Sequence, residues 1–340
     1  MTKQAKTYFL LAPVLLWSLS ASLAANEIDA REFQSRRQAY VARAADGVTV
    51  LFNALEENLR EFSPEKNFYY LTGAAIPDAI LVLSPAHSQH KETLFIRERD
   101  LPQEKWTGPK PAPGAETAKR LGIERVLALE QFQSELTELM AGQKKLYAIL
   151  PSNKGTAPPS TQEGHVSRLK ALFPFAEVVP AATPIAHLRM TKSATELALL
   201  KRAIQITLAG HRAASRAVGD GRREYEVEGA LEFEFRRAGA ARPAFPSIVG
   251  SGPNSVVLHY DKNTRQMRQG ELVVVDIGAE FEEYAADVTR TYPVGGKFSS
   301  RQREIYNIVF AAQEAALKAV KPGVTIAKSG PIHRAAYEYI

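Results

Sequence analysis

The chain contains no cysteine in 340 residues. Disulfide stapling, a thiolate nucleophile, cysteine ligation of a metal and a lipid attached through sulfur are all excluded. It also lacks an apolar run of the roughly 20 residues that a membrane-spanning helix needs. The formal net charge is +6, but lysines and arginines are spread along the chain, and no basic cluster is interleaved with aromatics. The basic balance therefore reads as general solubility and not as a nucleic-acid footprint. Gly250 and Gly252 form a Gly-x-Gly without a following Lys-Ser or Lys-Thr. They read as turn glycines and not as a phosphate loop.

What is present is ordinary globular material, 45% hydrophobic and 24% charged, long enough for two domains. Residues 1–25 have the layout of an export signal. Lys3 and Lys6 start it, an apolar run from Tyr8 to Leu19 follows, interrupted by Pro13, and small residues lead to a cleavage site after Ala24 or Ala25. This predicts a periplasmic or extracellular protein without stable membrane insertion. Residues 29–44 read as a helix with Asp29 and Glu32 as a capping box. Strands are expected at VTVLF (48–52), NFYYL (67–71), AILVL (79–83), ETLFI (92–96) and KLYAI (145–149), with helices at AETAKRLG and LEQFQSELTELMAG. Residues 151–165 are rich in Pro, Ser, Gly and Thr and read as a surface loop. A short helix and the strand AEVVP follow, and AATPIAHLRM bridges to a second domain.

That domain should open with a helix capped by Ser193 and Glu196. Leu197, Leu200, Ile204, Leu208 and His211 recur along one face of it, and His211 reads as a satisfied core histidine. A second helix runs from Tyr225 to Ala238, SVVLHY is expected as a strand, and helices are expected at 301–320 and from Pro331.

The stretch GELVVVDIGAEFEEYAADVTRTYPV, Gly270–Val294, has period-2 alternation on both sides of Glu280–Glu283. Folded about Phe281–Glu282 it becomes a hairpin with Asp276 opposite Asp287, whose Cβ atoms would lie roughly 4.5–5.5 Å apart. Strand-end aspartates usually face water or cap turns. These two follow apolar residues and alanines, so a shared role is the sharper reading. Carboxylates so close repel unless something positive sits between them. Oxygen ligands at that spacing suit a pair of divalent cations roughly 3.5–4 Å apart.

The segment VVVDIGAEFEEYAADVTRTYPV resembles the metal-binding hairpin of the pita-bread metallopeptidases: aminopeptidase P, prolidase and methionine aminopeptidase. Asp276 and Asp287 match its spacing, and Thr289-Arg290-Thr291 matches its tail. FPSIVGSGPNSVVLHY resembles the upstream stretch that presents a substrate-facing histidine, here His259. NFYYLTGAAIPDAILVLSP and TLFIRERDLPQEKWTGPKPAPGAETAKRLGIERV resemble the N-terminal domain of aminopeptidase P in particular.

The resemblance implies an α/β (α+β) chain in three parts. Residues 26–185 form a creatinase/aminopeptidase P-like domain after the signal at 1–25, and residues 188–340 form the first half of a pita-bread catalytic domain. It implies a metalloexopeptidase that releases the residue before proline. Asp276 and Asp287 would ligate two divalent ions, and His259 would be the catalytic hydrogen-bond donor. Carboxylate ligands suit Mn²⁺. The His-rich segment and two glutamates of the family are not found, so the expectation is a truncated and inactive chain. Peptides with an Xaa-Pro start are the expected partners, nucleic acid is not, and a homo-oligomer is left open. The rival readings are an Xaa-Pro dipeptidase and a non-enzymatic peptide-binding relative.

Overall fold

The computed structural model describes residues 28–56, 62–151, 161–327 and 329–340. The expected export segment and most of the expected loop at 151–165 lie outside these residues. From Thr161 that loop is already helix.

The first layered unit is built on a six-stranded mixed sheet. In chain order its elements are α1 (Ala30–Val41), β1 (Val48–Phe52), α2 (Lys66–Thr72), β2 (Ile80–Leu83), β3 (Glu92–Ile96), α3 (Leu101–Thr107), α4 (Ala115–Leu121), β4 (Arg125–Ala128), α5 (Phe132–Leu139), β5 (Lys145–Ala148), α6 (Thr161–Leu172) and β6 (Glu177–Pro180). The strand order is β4-β3-β2-β1-β5-β6. β1–β2 and β2–β3 pair antiparallel, and the remaining neighbours pair parallel. Both faces are covered, which is why the central strands read as unbroken apolar runs. Leu51, Leu81, Leu83 and Leu94 join Tyr40 and Phe68 on one side. Val48, Val50, Val82 and Phe95 join Phe132 and Leu136 on the other.

One expected strand is a helix. NFYYL has the aromatic content of a strand, yet it folds as α2. Glu65 caps it by accepting from the Phe68 N–H, and Gly73 ends it at φ +64°. Two caps outweigh a weak propensity here. α1 forms where expected, but without the expected capping box. Asp29 accepts from the Arg31 N–H, whereas Glu32 reaches Arg36 at 2.6 Å and accepts from Ser193 Oγ at 2.7 Å. β4 and α3 were not expected.

The second unit follows α7 (Ala182–Met190). It contains α8 (Ala194–Ala217), α9 (Glu224–Arg237), β7 (Arg242–Pro243), β8 (Ile248–Ser251), β9 (Leu272–Ile277), β10 (Ala279–Phe281), β11 (Tyr284–Ala285), β12 (Val288–Pro293), α10 (Ser300–Ala319) and α11 (Pro331–Tyr337). The Ser193–Glu196 capping box of α8 is present. Its buried face is not the expected one: Leu197, Ile204 and Leu208 are exposed. Leu199, Ala203, Ile206, Gly210 and Ala214 are buried instead, and of the expected face His211 is buried. The buried stripe mixes Leu199 and Ile206 with small residues, Ala203, Gly210 and Ala214, so the side with the most large aliphatics is not the buried one. At Gly210 a Cβ would lie 2.5 Å from the Phe235 ring, and this close approach lets α9 lie against α8.

The two units meet at the end of the β10–β11 hairpin. Lys66 lies 2.6 Å from Glu283 and 3.3 Å from Glu280. Tyr284 donates to Glu196 at 3.0 Å, and Arg36 lies 3.5 Å from the same carboxylate. Among the described residues, no helix is long and apolar enough to cross a membrane.

Candidate metal centre

β9 is the middle strand of the sheet β12-β9-β8. Its alternation places Val273, Val275 and Ile277 in the core under α8 and α9. Leu272, Val274 and Asp276 are left on the opposite, partly open face. Asp276 is half-buried and Asp287 exposed, so the alanines before Asp287 do not keep it from water.

The register also differs from expectation. Asp276 lies opposite Thr289, not Asp287. The turn sits one residue later than expected. Its central residues are Glu282 and Glu283, at φ +48° and +65°, the double left-handed pair of a two-residue hairpin turn. Moving a turn centre by one residue shifts the pairing by two, which keeps every side chain on its face. Asp287 therefore remains on the face of Asp276, as its diagonal neighbour. The hairpin also splits between two sheets, since β10 pairs with β11 on one side and with β7 on the other. The split falls at Gly278, where a Cβ would stand 1.8 Å from the Ala286 carbonyl oxygen.

Thr289 Oγ1 donates to Asp276 Oδ1 at 2.7 Å, which fixes that carboxylate. Desolvation pushes the Asp287 carboxyl above the ordinary aspartate range, and the charge of Asp276 and a shared hydrogen bond add to it. Such mutual repulsion is what two adjacent carboxylates show when no cation lies between them. They are hard oxygen donors of the kind that Mn²⁺ and similar ions take, so they fit two ligands of such a site. No group of three or more His, Asp or Glu among the described residues converges closely enough to hold an ion.

The carboxylates open onto a cavity of about 360 Å³. Phe245, Pro246 and Ile248 form its apolar wall, and His259 and Asp261 line it as well. The expected strand SVVLHY is not one. Gly252–Val256 is a 3-10 turn, and His259 lies exposed in the irregular loop after it. β8 ends at Ser251 where Gly252 turns at φ +51°. Asp261 was missed by the sequence reading, although it stands two residues beyond His259. Thr289 was seen only as part of a motif and not as the partner of Asp276.

His211 is buried, as expected for a core histidine. Its ring nitrogens lie 2.8 Å from the Val288 carbonyl oxygen and 3.2 Å from the Tyr292 hydroxyl. A larger cavity, about 550 Å³, lies where the hairpin end meets α2. Of its glutamates, Glu280 and Glu283 are bound to Lys66 and Arg242 and Glu196 to Arg36 and Tyr284, and neither Asp276 nor Asp287 lines it.

Comparison with known proteins accounts for both units. Residues 33–147 match the aminopeptidase P N-terminal domain, and residues 198–340 match metallopeptidase family M24. The Xaa-Pro aminopeptidase of Escherichia coli K12 is 37% identical over 314 residues, which is 88% of this chain and 70% of that protein. The chain belongs to the aminopeptidase P family. The structure of Pseudomonas aeruginosa aminopeptidase PepP superposes with a TM-score of 0.82 at 28% identity, covering 92% of this chain and 72% of that one. Zn-substituted E. coli aminopeptidase P in complex with product gives a TM-score of 0.78 at 35% identity, with 88% and 70% covered. The fold is thus a mixed α/β chain with an aminopeptidase P N-terminal unit before a pita-bread metallopeptidase unit. The family is one of divalent-metal peptidases.

Proposed function

We propose that this chain acts as a metal-dependent aminopeptidase on peptides with proline in the second position. The observation that carries the reading is the placement of Asp276 and Asp287 side by side on one face, at a cavity that His259 also lines. An X-Pro bond is a tertiary amide without an N–H, and proline fixes φ. Peptidases that grip the backbone through that N–H lose hold of it, so such a bond calls for a dedicated cavity. Two divalent ions, Mn²⁺ by the carboxylate chemistry, would be held by Asp276 and Asp287. When bound they would lower the pKa of a water and polarise the scissile carbonyl. Thr289 keeps Asp276 in one orientation, and His259 donates a hydrogen bond to the carbonyl oxygen as charge develops there. Residues 26–185 would form the N-terminal domain and 188–340 the catalytic one, after export directed by residues 1–25. Peptide substrates, and a further copy of the chain, are the partners this reading admits.

Two carboxylates with water for the remaining ligands make a weak site, because affinity follows ligand charge and number. On these two ligands alone, metal should bind this chain weakly, with slow turnover or none. Mn²⁺ titration followed by water-proton relaxation tests the site. Binding is expected to be lost in both Asp276→Asn and Asp287→Asn, which keep the shape and remove the charge. Whatever release of the first residue an X-Pro-X tripeptide shows at saturating Mn²⁺ should disappear with them. His259→Ala should spare metal binding and lower turnover by roughly 10²–10³. Unchanged Mn²⁺ binding in Asp276→Asn would remove the basis of the site. Cleavage of Xaa-Pro dipeptides but not tripeptides would point to the dipeptidase instead.

A further inference from the structure

Glu224 is the first residue of α9, and none of its surface reaches solvent. Its side chain does not cap its own helix. Oε1 accepts from the Ser251 N–H at 2.7 Å, from Ser251 Oγ at 2.7 Å and from Asn254 Nδ2 at 3.2 Å. Oε2 accepts from the Tyr260 hydroxyl at 2.8 Å and from the Arg265 N–H at 2.8 Å. These donors sit at the start, the first turn, the middle and the end of the loop that carries His259. One buried carboxylate thus gathers the loop between β8 and β9.

The loop has little else of its own to hold it. Val256, Val257 and Leu258 are exposed, with Val256 81% and Leu258 85% accessible. Among the described residues the His259 ring makes no hydrogen bond or ion pair, so its place at the cavity depends on the backbone. Two further ties support that backbone. Asn263, buried at φ +46°, accepts from the Val249 N–H and donates to the Ser247 carbonyl. Arg265 donates to Ser251 Oγ and forms a forked pair with Glu271. Neither reaches the stretch from Asn254 to Tyr260. The Glu224 carboxylate does so on both sides of the exposed apolar turn, whereas the other bonds to this stretch, Ser255 Oγ to the Gly252 carbonyl, Val257 N–H to the Asn254 carbonyl and Thr264 N–H to the Tyr260 hydroxyl, stay within the loop.

We infer that Glu224 is a positioning residue that sets the place of His259 at the cavity, resting on the reading of His259 given above. The chemistry requires a carboxylate and not merely a polar group. Each oxygen accepts from one backbone N–H that has no alternative. A glutamine presents one oxygen and one NH₂, so whichever way it turns, one buried N–H faces a donor. A buried donor left without a partner costs its full desolvation penalty. The hydroxyl of Tyr260 could reverse its role, but the Arg265 N–H cannot.

The test uses the whole chain, without metal and without turnover. Amide hydrogen exchange over residues 254–262 and over β9 is compared in the parent, Glu224→Gln and Tyr260→Phe. In Glu224→Gln the loop amides should exchange roughly ten- to a hundredfold faster, while the β9 amides change by less than about threefold. The ¹³Cε1–¹H cross-peak of His259, assigned from a His259→Gln spectrum, should shift or broaden as the ring samples other positions. Tyr260→Phe removes a single donor, so it keeps the fold and should show the same loop-confined pattern at smaller amplitude. Equal acceleration in the loop and in β9 would mean that Glu224 only stabilises the unit. An unmoved His259 cross-peak in both variants would likewise overturn the inference. Absence of X-Pro hydrolysis or of metal binding would count against the functional reading alone, because neither enters these two measurements.

Discussion

Replacing Gly278 with alanine adds one methyl group at the point where the hairpin splits between two sheets. Its Cβ would lie 1.8 Å from the Ala286 carbonyl oxygen, 2.8 Å from the carbonyl carbon and 2.9 Å from the Phe245 ring. Close carbon–oxygen contacts across a sheet run at about 3.3–3.6 Å, so the strands must part by about 1.5 Å or more. The carbonyl cannot swing aside freely. Its own residue donates to the Ala279 carbonyl at 3.0 Å, and the Ala244 N–H is held by Gly278 O at 2.8 Å. Overpacking costs about 1–3 kcal/mol, and losing two flanking ladder bonds adds about 1 kcal/mol each. The sum is about 3–5 kcal/mol, concentrated in the sheet that carries Asp276 and beside Asp287. Amide exchange of Val273, Val275 and Ile277 should therefore accelerate by at least about 10²-fold. β1 and β2 should keep their protection, and Mn²⁺ binding should fall with the displaced Asp287. An alanine variant with β9 exchange within about threefold of the parent would refute this account of the turn.

Two other substitutions probe the N-terminal unit. Arg37 has no accessible surface, donates to the Leu71 and Gly122 carbonyls, and lies 2.9 Å from Glu92. Arg37→Met leaves that carboxylate and two carbonyls without a donor, and should cost about 3–5 kcal/mol by chemical denaturation. His165 stacks on Phe52 at 4.0 Å, and its Nδ1 has no partner among the described residues. Desolvation, with Arg168 next, lowers its pKa from the ordinary histidine value. The unfolded chain then takes up the proton first, so stability is full above about pH 6.5 and falls as the pH drops below it. His165→Gln should flatten that slope in thermal unfolding measured between about pH 5 and 7.5; an unchanged slope would assign it to other groups.

Local patterns determined much of this chain by themselves. Every strand expected from an apolar run formed, except NFYYL and SVVLHY, and the capped starts of α8 and α10 follow the Ser-x-x-Glu and Ser-x-x-Gln signals. The alternation through Leu272–Ile277 and the Asp276…Asp287 spacing were enough to place both carboxylates on one open face, because a period of two survives a two-residue change of register. Tertiary structure alone decided the remainder. The pairing of Asp276 with Thr289 depends on the left-handed turn at Glu282–Glu283 and on the tight crossing at Gly278, and no strand pattern reports either. The buried stripe of α8 was set by how closely α9 can approach Gly210, not by which residues are largest. His259 reached the cavity from an irregular loop and not from a strand. The group that holds that loop, Glu224, lies 35 residues before His259, at the start of α9. Hydrogen bonds between groups so far apart in the chain leave no periodicity to read, and they exist only once the folded backbone brings donor and acceptor within about 3 Å.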